Sequence, residues 1–287
     1  MDKSDHAAKL PGVRYLELPP SEPLRRYIRC YWFLTGPAGP AADAPADPAL
    51  PDGSPEVILN LADPFQAVSI DAPPRLQPAT MLVGQITRPF AVAPTGRIEL
   101  VGARLEPFGA AGWWGHLADL TDRWADGDDI PHAGLAEVRA SLVAAGSAAE
   151  RAAILDRHLA RVFDTLKPPD PRVEAAVRAI RASHGRAALD RLSRDLGATP
   201  RSLQRWFAAQ VGISPKLLAR ITRFQRVFSA WRTDPTSLAR VAAECGYFDQ
   251  SHLIRDFRDF AGAAPAAFLA GPPEFTAFFT ANPRHDQ

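Results

Sequence analysis

Cysteine is nearly absent. Cys30 and Cys245 are the two thiols in 287 residues, too few for a disulfide framework or a Cys-based zinc site. Both are expected to pack as small apolar groups. No apolar run approaches the ~18 residues that a membrane span requires. The opening, MDKSDHAAKL, lacks the apolar centre of a signal peptide. A soluble, cytoplasmic protein is therefore expected. Also missing are a Ser-His-Asp set, a phosphate-binding loop and a carboxylate pair at catalytic spacing. The reading is of a non-enzyme with no catalytic residues, no metal and no cofactor. Lysine is scarce, with four beside 29 arginines, a composition common in chains from GC-rich bacterial genomes. Arginine as a residue choice therefore says little; where the charge lies says more.

The net charge of +1 conceals an asymmetry. From Pro171 to Ala270 there are sixteen Lys/Arg against eight Asp/Glu, while Met1 to Asp170 holds sixteen against twenty-two. An acidic front part cancels a basic back part, and the basic part is expected to meet an anion. The front part reads as short strands rich in β-branched and aromatic residues: YIRCYWFL, PEVILNL, FQAVSID, MLVGQ and GRIELVGARLEP. Between the first two, TGPAGPAADAPADPALPDGSP is too rich in Pro, Gly and Ala for an element and reads as a loop. Such strands suggest a sandwich or partly closed barrel. From about Gly109 the pattern turns helical. SAAERAAILDRHLARVFDTL is the clearest case, with Ile154, Leu155, Leu159, Val162, Phe163 and Leu166 on one face. KPPDP, Lys167 to Pro171, then stops the helix and marks a domain boundary.

The back part contains a repeat. Leu189, Arg191 and Gly197 return forty-nine residues later as Leu238, Arg240 and Gly246. Leu203, Arg205, Phe207, Gly212 and Pro215 return after fifty, as Leu253, Arg255, Phe257, Gly262 and Pro265. One residue is therefore extra between Gly246 and Leu253, in a turn, where insertions cost least. Each copy reads as helix, Gly turn, helix. Thr199 is placed to cap the second helix of the first copy, with Pro200 at its first position, and Asp249 to cap that of the second. In the second copy Leu253, Phe257 and Phe260 make an apolar stripe, and Ser251, Arg255 and Arg258 line the opposite side. This is the helix-turn-helix pattern, whose second helix can enter a major groove. Arg can bond guanine bidentately and Gln adenine. Between the copies PKLLARITRFQRVFSAWR is one amphipathic helix. It spans ~27 Å at ~1.5 Å per residue, enough to hold two reading helices about one duplex turn apart, ~34 Å.

GYFDQSHLIRDFRDFAGAAPAAFL closely resembles the signature of the AraC/XylS-family bacterial transcription regulators. TPRSLQRWFAAQVGISPKLL is similar to the corresponding segment of their first helix-turn-helix. The resemblance covers about Ala188 to Leu269 and implies a seven-helix domain whose two recognition helices enter adjacent major grooves. It puts base contacts on Arg201, Gln204 and Arg205, then on Gln250, Ser251 and Arg255. Candidate phosphate contacts are Thr199, Lys216, Arg220, Arg223 and Arg258. His252 and Ile254 are left as packing or rim positions, and Trp206 as core or a backbone contact. PDGSPEVILNL and GRIELVGARLEPFGAAGWWG resemble the sensor-type N-terminal domains of uncharacterised members.

The fold class expected is thus α+β with two domains. An N-terminal β-barrel or sandwich with appended helices, 1–167, serves effector binding or dimerisation. A C-terminal all-α double helix-turn-helix, 168–271, is joined by the long linker helix, and a tail follows, 272–287. Tyr31, Trp32, Phe33 and Trp113 are candidate lining of an apolar effector pocket. The expected partners are double-stranded DNA, a small-molecule effector, a second copy of the chain and, by the resemblance, RNA polymerase. Two rivals are weighed. A DNA-repair methyltransferase with this reader would need a zinc-bound Cys cluster and an acceptor Cys, which two thiols cannot supply. A protein-interaction module would lack the steep salt dependence of a DNA reader.

Overall fold

The computed structural model describes residues 12–37, 46–68, 73–233 and 237–270. The opening decapeptide, most of the 35–55 loop's first half and the 272–287 tail lie outside the described residues.

Strand β2 (Ile28–Gly36) shows how the front part is built. Its alternation sends Tyr31 and Phe33 to one side and Trp32 and Leu34 to the other. A bulge between Ile28 and Cys30 resets the parity, so Ile28 joins Tyr31 and Phe33. Buried on both faces, the strand must lie between two layers. It does. It pairs with β1 (Arg14–Leu18) and β9 (Ile98–Leu105) in a six-stranded antiparallel sheet. That sheet continues through β4 (Glu56–Asn60), β7 (Thr80–Val83) and β10 (Trp124–Asp126). One face carries α1 (Leu135–Ala144) and α2 (Ala148–Thr165), which add Leu135, Val138, Leu142, Leu155, Leu159 and Phe163 to the core. The other faces a second sheet of β3 (Asp47–Ala49), β8 (Phe90–Pro94), β5 (Phe65–Val68) and β6 (Arg75–Leu76). Gly102 in β9 lets these layers close, because a Cβ there would stand 2.1 Å from the Trp32 ring.

The sandwich expectation therefore holds, with five strands that the sequence reading omitted. Within the Pro-rich stretch, Asp47–Ala49 forms β3 against β8, at a sheet edge where Pro48 can be tolerated. Helix was expected from Gly109 on, but Trp124–Asp126 is a strand paired with β7. Before α1 that region is otherwise turns and 3₁₀ segments.

The back part holds seven helices among the described residues. They are α3 (Pro171–Ala182), α4 (Leu189–Asp195), α5 (Pro200–Gln210), α6 (Pro215–Thr233), α7 (Leu238–Glu244), α8 (Gln250–Ala261) and α9 (Pro265–Ala270). Asp170 caps α3 at the Pro-rich stop. Phe224 of α6 sits at the centre of the core, its ring 5.2 Å from Phe228 and Phe257 and 5.3 Å from Phe260.

The duplication is visible bond by bond. Ala198 N–H donates to Ser193 O, and forty-nine residues later Tyr247 N–H donates to Ala242 O, both at 2.9 Å. The turn glycines Gly197 and Gly246 have φ of +62° and +79°, the left-handed C′ conformation that ends a helix. Thr199 Oγ1 accepts from Ser202 N–H, and Asp249 Oδ1 from His252 N–H, fifty residues apart. The offset thus changes between Tyr247 and Asp249, which identifies Phe248 as the inserted residue. It is 93% exposed. The insertion extends the turn outward and leaves the second helix in register.

We expect Gly197→Ala to cost about 1–2 kcal/mol in denaturant unfolding. No atom lies within 4 Å of the added methyl, so the loss reports backbone conformation alone.

Candidate nucleic-acid interface

Helices α5 and α8 each bury one stripe and expose the other. Leu203 and Phe207 are buried in the first, and Leu253, Phe257 and Phe260 in the second. On the outer side Arg201, Gln204, Arg205, Gln250, Ser251 and Arg255 are all exposed. Among the described residues, none of these six side chains forms an internal hydrogen bond or ion pair. Folding has left their donors unused, as a surface that meets another molecule requires. Lys216 and Arg258 are likewise exposed and, among the described residues, unpaired, while the Thr199 hydroxyl is occupied as a cap and donates to Ser202 Oγ.

Two of the phosphate candidates have other work. Arg220 Nε lies 3.0 Å from Asp256 Oδ1, and its Nη2 lies 2.7 Å from the same oxygen and 2.6 Å from Asp259 Oδ2. Burial opposes its charge, but the two carboxylates prevail and hold its pKa above the ordinary arginine value. Asp256 is itself 1% exposed, so this clasp fixes the reading helix α8 on α6. Arg223 donates to Gly185 O at 2.5 Å and lies over the Tyr247 ring. Neither arginine offers its guanidinium to a phosphate in this arrangement. The repeat does not announce this clasp, because Asp256 stands where the first copy has Trp206. That tryptophan is half-buried against the core with the Arg172 guanidinium 3.9 Å from its ring centroid. His252 is half-buried, edge-on to Tyr247.

The pocket residues divide. Trp32 lines a partly open space of about 120 Å³ between the two sheets, together with Phe65, Phe90, Met81 and Leu100. Tyr31, Phe33 and Trp113 do not. They belong to the core on the opposite, helix-covered face. Tyr31 donates to Asp156 Oδ1 at 3.0 Å, and Trp113 packs edge-on to Phe163. Strand alternation makes this separation obligatory, since consecutive residues of β2 cannot line one cavity. The sequence reading missed the polar end of the cavity, Asp52, Glu56 and Arg104, and one residue of the back part, Gln225. Gln225 Nε2 donates to Pro51 O at 2.6 Å. A Cβ on Gly53 would stand 3.0 Å from Leu218 Cδ1, so closely does the same loop approach α6. Elsewhere the two parts meet through Arg26 on Glu174, Arg181 on Glu106, and Thr121 Oγ1 on Gly212 O at 2.7 Å.

Residues 192–271 match the family model described as a helix-turn-helix domain. The chain carries an AraC/XylS-type DNA-binding domain. It is a DNA-binding transcription regulator. Residues 16–126 match a domain of unknown function, DUF6597. No curated protein matches. Among solved structures the chain is similar to ToxT from Vibrio cholerae, at 11% identity over 83% of this chain and 98% of that one, with a TM-score of 0.45. ToxT bound to (E)-4-(8-methylnaphthalen-1-yl)but-3-enoic acid aligns at 11% identity over 83% and 98%, TM-score 0.47. ToxT bound to an unsaturated fatty acid aligns at 11% over 90% and 93%, TM-score 0.43. Among the described residues no helix is long and apolar enough to cross a membrane.

Alanine at Arg201, Gln204, Arg205 or Arg255 should leave unfolding free energy within about 0.5 kcal/mol of the parent. Arg220→Ala, which strips the buried Asp256 of its donor, should lose about 1–3 kcal/mol. Urea titrations followed by far-ultraviolet circular dichroism distinguish the two classes.

Proposed function

We propose that the chain reads two adjacent major grooves, α5 through Arg201, Gln204 and Arg205 and α8 through Gln250, Ser251 and Arg255. The observation that carries this reading is that all six side chains are exposed and, among the described residues, unpaired, on two duplicated helices whose N-cap side chains accept from the N–H three residues on. Lys216 and Arg258 supply phosphate contacts, with the N-terminal N–H groups of α5 beside Thr199. Arg220 and Arg223 act inside the domain, where they set the attitude of α8. On this reading 168–271 is the DNA-binding domain and 1–167 the sensor, and the protein works in the cytoplasm as a regulator without enzymatic activity. Pairing with a second copy and contact with RNA polymerase are proposals that rest on the family resemblance.

The sensor acts through the cavity between its sheets. The segment Leu50–Ser54 supports this, because it has two faces. Leu50, Asp52 and Ser54 line the cavity, while Pro51 O and Gly53 touch α6. A small molecule that displaced this segment would move the helix that joins the two readers. Its effect would be a shift between arrangements in proportion to its differential affinity for them.

Promoter fragments selected from the source genome, titrated with the full chain, test the assignment. Arg205→Ala and Arg255→Ala should each cost about 1–3 kcal/mol of binding and relax base preference at one position, in separate half-sites. Affinity should fall steeply between low and moderate salt, and Lys216→Ala should reduce that slope by about one. Unchanged isotherms for both arginine variants would refute the assignment, and a salt-independent isotherm would favour a protein partner.

A further inference from the structure

Tyr247 and Phe248, in the turn before α8, are adjacent aromatics with opposite surroundings. Tyr247 is buried and stands edge-on to His252, ring centroids 5.1 Å apart. Phe248 is 93% exposed, whereas the other large apolar side chains exposed among the described residues, Leu16, Leu76 and Val143, are at most 57% exposed. Helix starts commonly offer such a ring a buried position. Asp249 is the N-cap of α8, so Phe248 is the residue before the cap and Leu253 the fourth of the helix. Apolar residues at those two positions often close into a staple that fixes how the chain enters the helix. Leu253 is fully buried in the core of the back part, and Phe248 lies outside that core. The staple is not made. In the first copy the residue before the cap is Ala198, which has no ring to place.

Folding therefore leaves the Phe248 ring unused, one step outside the N-terminus of a reading helix. Its Cα is at most about 7 Å from that of Gln250, and the N-terminal residues of a recognition helix are the ones that approach base edges. From Gly246 to Ser251 the chain holds no cation. The one carboxylate there, Asp249, is occupied with the His252 N–H at 2.7 Å. An aromatic hydrocarbon gains little from phosphate oxygens or from the donors and acceptors of the bases. In the major groove the apolar group is the 5-methyl of thymine, which a phenylalanine can cover.

We propose that Phe248 is a specificity-determining residue that packs on a thymine methyl beside the bases met by Gln250 and Ser251. The proposal rests on the reading of α8 as a major-groove helix and adds an apolar contact to its polar ones.

Duplexes selected from a randomised library by the full chain, and in parallel by Phe248→Ser, test it. Sites selected by the parent should carry thymine at one position adjoining the α8 half-site, and sites selected by Phe248→Ser should not. In titrations of the parent's selected duplex, deoxyuridine in place of that thymine removes the methyl alone. The exchange should weaken the parent about four-fold, as loss of one buried methyl-sized group implies, and leave Phe248→Ser unchanged, so that the two losses do not add. Phe248→Ser should weaken binding to the thymine duplex by that factor or more, with the salt slope unaltered, since no phosphate contact is lost. Its urea midpoint should match the parent's, because the ring is exposed. No thymine preference, or equal losses to deoxyuridine in parent and variant, would overturn the thymine contact. A weakening by Phe248→Ser that is the same on both duplexes would overturn it too, and would move the ring to a sugar. If Arg205→Ala and Arg255→Ala still weaken binding in those cases, the two-groove reading stands; if they do not, that reading falls as well.

Discussion

The burial of α6 is the constraint on which the reading part depends. Its inward face, Leu218, Ile221, Phe224, Val227 and Phe228, is removed from water by helices of both repeats at once. Phe224 alone meets Phe257 and Phe260 of α8. Rings of this size bury large apolar areas and prefer the edge-to-face geometry seen here. The helix is therefore the shared floor of two modules rather than a spacer between them. Its polar side adds direction to that packing, for the Arg220 clasp on Asp256 and Asp259 fixes how α8 sits, and Arg223 ties α6 to the turn after α3. Hydrophobic contact holds the helices together; the clasps decide which way they face.

The same helix meets the N-terminal part. Gln225 and the Leu218–Ile221 side of α6 receive the Leu50–Ser54 segment, whose other face closes the cavity. Close-packed contacts of this kind transmit displacement because they do not compress. The interface also holds Phe108, a residue of the front part that packs within the back part's own core. Two parts that share a core residue and several part-buried polar contacts move together or separate as a whole.

The back part was legible because its signals are local. Gly197 and Gly246 end helices, Thr199 and Asp249 begin them, and stripes at helical spacing name the buried faces, all within a few residues of sequence. Repetition made the pattern harder to mistake. What stayed hidden was long-range. The partners of Arg220 stand thirty-six and thirty-nine residues away, and no spacing rule connects them. The front part was read less well for the same reason. Strands such as β3 and β6 are two or three residues long and exist only because a neighbour supplies hydrogen bonds. Aromatic content alone marks Tyr31, Trp32 and Phe33 as pocket candidates, although adjacency in a strand sends their side chains to opposite faces. The charged end of the cavity, Glu56, Arg104 and Asp52, is assembled from β4, β9 and a loop, and becomes visible only when those backbones lie side by side.

Phe248 makes the two modules unequal. An assembly of two identical subunits has a dyad and grips a palindrome, with no means of telling upstream from downstream. Here the halves lie on one chain, and one of them bears an additional aromatic ring beside its reading helix. A duplex held by such a pair is held in a single sense. The genes to its left and right are then no longer equivalent, and polarity comes from the regulator's own covalent order.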